Sequence, residues 1–159
     1  MRASSTPDWP ALTVVGLGGV IGTSLRAGLA ELIGASPSGI PWATATANLT
    51  GALLLGLILG WFAVPGRQVG RYRLVRLGVG TGLMGALTTY STLISETLRL
   101  IGQGRALLGA FYLLGSLIAG LALAGLGLRL SGLLEGRHRT HRTHRADGAR
   151  AGTTGSGPT

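Results

Sequence analysis

The chain has 159 residues, 46% of them hydrophobic and 12% charged, with a net charge of +9, 29 glycines and no cysteine. A water-soluble domain carries about 25% charged residues, so this is not the composition of one, and neither disulfides nor thiolate metal sites are available to it. A basic balance laid over long apolar runs points to a membrane rather than to nucleic acid.

Residues 1–9 form a short polar segment ahead of the first apolar run, ALTVVGLGGVIGTSLRAGLAELIGA, which predicts a span over about 11–34. One arginine precedes this run and no clean small-residue cleavage site follows it, so it is expected to remain a span rather than act as a secretory signal. The second span is expected over 42–64, where 23 residues between two prolines carry no charge. At 1.5 Å per residue such a helix is about 35 Å long, enough for a bilayer core of about 30 Å with some tilt. The third is expected over about 74–100 and the fourth over about 106–130, giving an all-α membrane domain over 10–131. The composition then changes. Residues 132–159 contain all three histidines and read as a disordered basic cytoplasmic tail lying near anionic headgroups. His138, His141 and His144 have a spacing that metal-binding tracts use, but their arginine neighbours repel a cation.

With four spans, the N-terminus, the loop between spans two and three and the tail share one side. Every basic residue is arginine; eleven fall on that side and three, Arg26, Arg99 and Arg105, on the other. Arg67, Arg71, Arg73 and Arg76 crowd the one short loop, so both termini are expected in the cytoplasm of a multi-pass cell-membrane protein. Gly18 with Gly22, Gly56 with Gly60, and Gly78 with Gly82 are small-xxx-small pairs that let helix backbones approach closely in lipid.

Polar groups at membrane depth are costly, and three spans carry them in register. Thr44 and Asn48 are four apart in span two. Thr88, Ser91, Thr92, Ser95 and Glu96 follow a 3–4 spacing in span three, with Thr89 to one side, and Tyr112 and Ser116 are four apart in span four. Single Ser and Thr residues commonly bond their own helix carbonyls, but three aligned donor stripes suit an anion path. Gly82, Gly85 and the run Thr88-Thr89-Tyr90 are poor helix formers, so the third helix is expected to break near its centre. No Ser-His-Asp set lies at membrane depth, no phosphate loop is present, and outside the histidine-rich tail no metal-ligand spacing occurs, which argues against an enzyme.

These residues resemble a known family. GGVIGTSLR (18–26) resembles the first-helix signature of the Fluc/CrcB fluoride channels, TATAN (44–48) their second-helix pattern, and GLMGALTTYSTLISE (82–96) their third-helix G-x-x-G-x-x-TTFSTF-x-x-E pattern, while Tyr112 and Ser116 match the fourth helix. The resemblance covers roughly residues 11–130. It implies a passive fluoride-selective channel built as an antiparallel dimer with two pores, exporting fluoride to relieve its toxicity. A structural sodium ion would be held by backbone carbonyls that correspond to Gly85 and Thr88. Asn48 would donate to fluoride, Arg26 would stand at the mouth or stabilise the vestibule with Thr44 nearby, and Tyr90, Ser91, Thr92, Glu96, Tyr112 and Ser116 would belong to the ion pathway. The chain departs from the pattern at Tyr90 and Leu93, where phenylalanines are usual, and Leu93 has no ring edge to offer an anion. With the arginine bias, this makes one half of a heterodimer of oppositely oriented homologues the expectation, with fluoride and membrane lipid as the other partners and no nucleic acid. A four-helix multidrug/cation exporter is the alternative; it would need a carboxylate deep in the first span, whereas Glu31 lies near that span's end.

Overall fold

The computed structural model describes residues 7–34, 36, 39–63 and 69–151, the stretch 135–151 by its backbone course alone. The described residues form helices and loops with no strand. Helix α1 covers Trp9–Ile33. It starts where Asp8 accepts from the Ala11 N–H at 3.2 Å and Pro10 occupies the first turn, and it stops at Gly34, whose φ of 63° favours glycine. Helix α2 covers Trp42–Phe62 behind Pro41. The expected end of this span at residue 64 lies outside the described residues.

The third span is not one helix. It comprises α3 (Gly70–Arg76), a π-helical segment (Leu77–Met84), a single turn α4 (Gly85–Leu87) and, past a break, α5 (Tyr90–Gly102). Thr88 (ψ 152°) and Thr89 (φ −147°, ψ 122°) are extended, a conformation that β-branched residues favour. The expected break is present at that position. Helix α6 runs from Ala106 to Ala151. The change in composition at Gly132 is therefore not marked by a helix end: no proline interrupts the stretch, and its Ala, Leu and Arg are good helix formers. Residues 152–159, the end of the expected tail, and residues 1–6 lie outside the described residues.

By length and composition, Trp9–Ile33, Trp42–Phe62 and Ala106–Leu134 are each able to cross a membrane. With the broken third span they make a four-span bundle. Helix α1 packs on the π-helical segment and α4, while α6 packs on α2 and α5.

Glycines set the crossings. A Cβ on Gly18 would collide with the Gly78 carbonyl, one on Gly22 with the Leu83 carbonyl and one on Gly82 with Val15. Across the bundle, Gly56 meets the Ala124 carbonyl and Gly60 lies against Ser131. All three expected pairs sit at helix contacts. Gly51, set against the Thr88 methyl, and Gly127, set against Leu53, extend the same device beyond those pairs. Between lipid-bathed helices the gain from such contacts is dispersion at short range rather than expulsion of water. Outward surfaces are apolar, as at Leu17, Phe111, Ile118 and Leu121, each more than half exposed.

Candidate functional site

Two polar layers form where α2, α5 and α6 meet, one helical turn apart along α2. In the first, Thr44 Oγ1 donates to Glu96 Oε1 at 2.9 Å and Tyr112 Oη donates to Glu96 Oε2 at 2.7 Å. One carboxylate thus ties three spans together, and each of its oxygens has a hydroxyl partner. Thr44 and Tyr112 are buried, and Leu93, Leu100 and Ala45 pack against Tyr112 in an apolar cluster. A hydrogen bond to an ionised group in such surroundings contributes about 1.5–3 kcal/mol.

The second layer is the break. Asn48 Oδ1 accepts from the Thr89 N–H at 2.7 Å, and Asn48 Nδ2 donates to the Thr89 carbonyl at 3.0 Å. The amide therefore pairs with the backbone of an extended residue as a neighbouring strand would. Thr89 Oγ1 accepts from the Thr92 N–H at 3.2 Å, capping α5, and bonds the Thr92 hydroxyl at 3.0 Å and Ser91 Oγ at 3.3 Å.

This bonding corrects the expected stripe. Thr88 does not continue the line of Ser91, Thr92, Ser95 and Glu96, because its hydroxyl turns back to the Met84 carbonyl at 2.9 Å. Thr89, placed to one side by helical spacing, is the hub instead. The physical reason is the break: two extended residues reset the helical phase, so a periodicity counted through residue 88 loses its meaning there.

The same bonds decide what the break leaves open. In an unbroken α-helix the Thr89 and Thr92 N–H groups would satisfy the carbonyls of Gly85 and Thr88. Here those N–H groups are committed to Asn48 and to the Thr89 hydroxyl. The two carbonyls are released from their helical donors, which is the oxygen chemistry a hard cation requires. Gly85 has nothing within 4 Å of where a Cβ would stand, so its surroundings are open. Among the described residues no group of three or more His, Cys, Asp and Glu side chains gathers to hold a metal.

A cleft of about 410 Å³ leads to the first layer from the end where α1 finishes and α2 begins. Thr23, Arg26, Ser36, Thr44, Thr92, Glu96 and Arg99 supply its polar wall. Arg26 Nε is buried with no hydrogen-bond partner among the described residues. Beside the second layer lies a more apolar groove of about 360 Å³, lined by Asn48, Thr88, Thr89, Tyr90, Leu93 and Ser116. Tyr90 is 68% exposed on it, whereas Leu93 is buried to 3%.

The expected residues thus fall into a cleft set (Arg26, Thr44, Thr92, Glu96, with Tyr112 behind) and a groove set (Asn48, Tyr90, Ser116). Ser91 is attached through Thr89. The sequence pattern does not single out Thr23, gives Thr89 no role, and presents Arg99 only as a loop-side charge. A cap signal for Thr89, a threonine directly ahead of a resuming apolar helix, was present in the sequence.

A small all-α membrane protein with a centrally broken helix, an amide and hydroxyls in a groove beside that break, and guanidinium groups in a cleft one turn away has the parts of an ion-conducting protein. Residues 13–128 match the family described as CrcB-like protein, Camphor Resistance (CrcB), and the chain belongs to that family. It is 40% identical over 125 residues to fluoride-specific ion channel FluC 1 of Cutibacterium acnes, covering 78% of this chain and 87% of that protein. A fluoride-specific ion channel FluC of Thermus thermophilus is 41% identical over 124 residues, 77% of this chain and 96% of its own length. FluC 2 of Moorella thermoacetica is 43% identical over 122 residues, 76% and 95%.

Proposed function

We propose that this chain forms a passive, fluoride-selective channel through which fluoride leaves the cell across the plasma membrane, relieving its toxicity. The observation that carries the reading is the stacked pair of polar layers, Thr44–Glu96–Tyr112 above Asn48–Thr89, beside a broken helix. Fluoride is small and strongly hydrated, so it sheds water only where hydrogen-bond donors follow one another closely, and conduction requires several modest sites rather than one tight one. The chain's relatives, named as fluoride-specific ion channels, support the same ion.

Arg26 stands in the cleft as an attractive charge, and its buried Nε is a donor with a place for an anion or water. Asn48 spends one amide N–H on the Thr89 carbonyl and keeps the other for fluoride. Ser91, Thr92 and Ser116 add hydroxyl donors, and Tyr90 offers a ring edge. The Gly85 and Thr88 carbonyls are the groups that would hold a structural sodium ion, which would offset the partial negative charge gathered at the break. No residue in this reading performs covalent chemistry, so the reading is that of a channel and not of an enzyme.

The functional unit is an antiparallel dimer surrounded by lipid. Tyr90, Ser91 and Gly85 are exposed on a single chain, and a second, inverted copy or homologue supplies the wall they lack. A heterodimer is favoured, with both termini of this chain in the cytoplasm: the arginine bias opposes dual insertion, and Leu93 offers no ring edge. Glu31, exposed two residues before the end of α1, is poorly placed for a proton-coupled exporter. Liposomes containing the protein, alone or with its oppositely oriented homologue, should release fluoride and retain chloride, at a rate indifferent to an imposed proton gradient. Flux that follows the proton gradient would favour the exporter, and no flux from either assembly would remove the channel reading.

A further inference from the structure

Two guanidinium groups face the cleft, and the reading above uses one of them. Arg99 sits on α5 three residues beyond Glu96 and lines the same cleft as Arg26, Thr44 and Glu96. Its hydrogen bond is weak: Nη2 donates to the Gly39 carbonyl in the α1–α2 connection at 3.4 Å. Arginine has five N–H donors, so most of its capacity is uncommitted by that contact. Among the described residues no ion pair is formed by Arg99: the Glu96 oxygens accept from the Thr44 and Tyr112 hydroxyls, and Asp8 pairs with Arg73. The polar wall of the cleft therefore carries two cations against one carboxylate. The positive end of the α2 dipole and the negative end of the α1 dipole both meet the cleft and offset one another, so the side-chain charges set its sign.

Resting on the reading of this chain as a fluoride channel, we propose that Arg99 is a second anion-attracting charge at the mouth of the pathway opposite the termini, raising the local fluoride concentration beside the donors at Thr44 and Asn48. A charge on a partly solvated wall acts through the field it adds to the cleft, and such fields speed the capture of an oppositely charged ion in proportion to how little salt screens them. The competing role is mechanical: Arg99 would simply fasten α5 to the α1–α2 connection. The two roles differ in their response to salt. Screening removes a field but leaves a fastening in place.

The test is fluoride efflux from liposomes holding the conducting assembly, alone or with its partner subunit, for wild type, Arg99→Gln and Arg99→Lys. Arg99→Gln loses the charge and, being two bonds shorter, also the 3.4 Å contact with the Gly39 carbonyl, so the salt dependence is what separates the two losses. Efflux is measured in impermeant salt at about 0.01 M, where the screening length is about 30 Å, and at about 1 M, where it is about 3 Å. Arg99→Gln should slow efflux roughly two- to five-fold in low salt, match wild type in high salt, and leave fluoride-over-chloride selectivity unchanged, with Arg99→Lys restoring the low-salt rate. Equal rates for wild type and Arg99→Gln at both salt concentrations, or a deficit that persists undiminished in high salt, would overturn the proposal alone. Wild-type protein that passes no fluoride would overturn the channel reading and this proposal with it.

Discussion

Replacing Asn48 with aspartate tests the centre of the proposed pathway. The substitution keeps the oxygen that accepts from the Thr89 N–H at 2.7 Å and exchanges the amide nitrogen, which donates to the Thr89 carbonyl at 3.0 Å, for a second oxygen. Two penalties follow. One bond to the break is lost and two oxygens face each other, at about 1–3 kcal/mol. A fluoride ion about 4 Å from the new carboxylate is repelled by about 4 kcal/mol at an effective dielectric of about 20, which slows passage roughly 10³-fold. The electrostatic effect dominates flux; the lost bond dominates stability. Asn48→Asp should therefore purify as a folded protein with a lowered thermal midpoint and release no fluoride above the liposome leak, read with a fluoride electrode. Asn48→Ala, which removes both bonds and leaves the Thr89 N–H and carbonyl unmet, should unfold at a lower temperature still. Undiminished fluoride flux through Asn48→Asp in a correctly assembled protein would refute the placement of Asn48 on the pathway, and an unchanged midpoint for Asn48→Ala would refute its role as a clamp on the break.

Tyr112→Phe removes the 2.7 Å bond to Glu96 Oε2 and should cost about 1.5–3 kcal/mol of stability, seen as a lower thermal midpoint in detergent. Gly22→Leu drives a side chain into the Leu83 carbonyl, with Leu87 N 3.0 Å and Ala86 Cβ 3.1 Å from its Cβ, and should destabilise by about 1–3 kcal/mol or aggregate on size exclusion. Gly16→Leu has nothing within 4 Å and serves as the tolerated control. A reporter fused to the C-terminus should read cytoplasmic only; a mixture of orientations would remove the heterodimer. The Arg73 guanidinium and the Ala11 N–H hold the Asp8 carboxyl below its ordinary 3.8, so the bonds they make persist above that pH and are lost as acid takes the medium through the lower folded value. Asp8→Asn should abolish that acid-dependent loosening of the α1 start, followed by amide exchange at Ala11.

Hydropathy made the four spans legible, because each needs about 20 apolar residues and little else in the chain imitates that. The glycine pairs were equally readable: no other side chain permits the approach of Gly18 to Gly78 or of Gly56 to Ala124. The break was visible in Thr88-Thr89-Tyr90. What lay beyond the sequence was anything that depends on the path of the chain past it. Helical spacing assigned Thr88 to the stripe and set Thr89 aside, and the two extended residues reversed that order. The π-helical turn over Leu77–Met84 left no periodic signal, since three glycines in eight residues permit a wider helix without announcing one. Arg99 counted only as a loop-side charge until α1 and α2 were set beside it to form a cleft. The partners of Glu96 likewise required the angle between three helices, which single-helix patterns do not contain.

A carboxylate on an anion pathway is an apparent contradiction, and the hydrogen bonds around Glu96 address it. Both of its oxygens draw their charge into bonds with neutral hydroxyls, and Arg26 and Arg99 line the same cleft. Yet those bonds also spend donors. With the Thr44 and Tyr112 protons directed at Glu96, and one Asn48 N–H directed at the Thr89 carbonyl, the donors needed to replace fluoride's water are in part already engaged. On the proposed pathway, fluoride arriving at the first layer would compete with Glu96 for the Thr44 hydroxyl, which lines the cleft, while buried Tyr112 stays behind it. An exchange of one acceptor for another within a fixed set of donors changes the free energy far less than stripping an ion bare, because no donor is left unpaired for long. By this logic Glu96 keeps the donors oriented and their charge satisfied while no ion is present. It also makes each site modest rather than tight, as rapid passage demands.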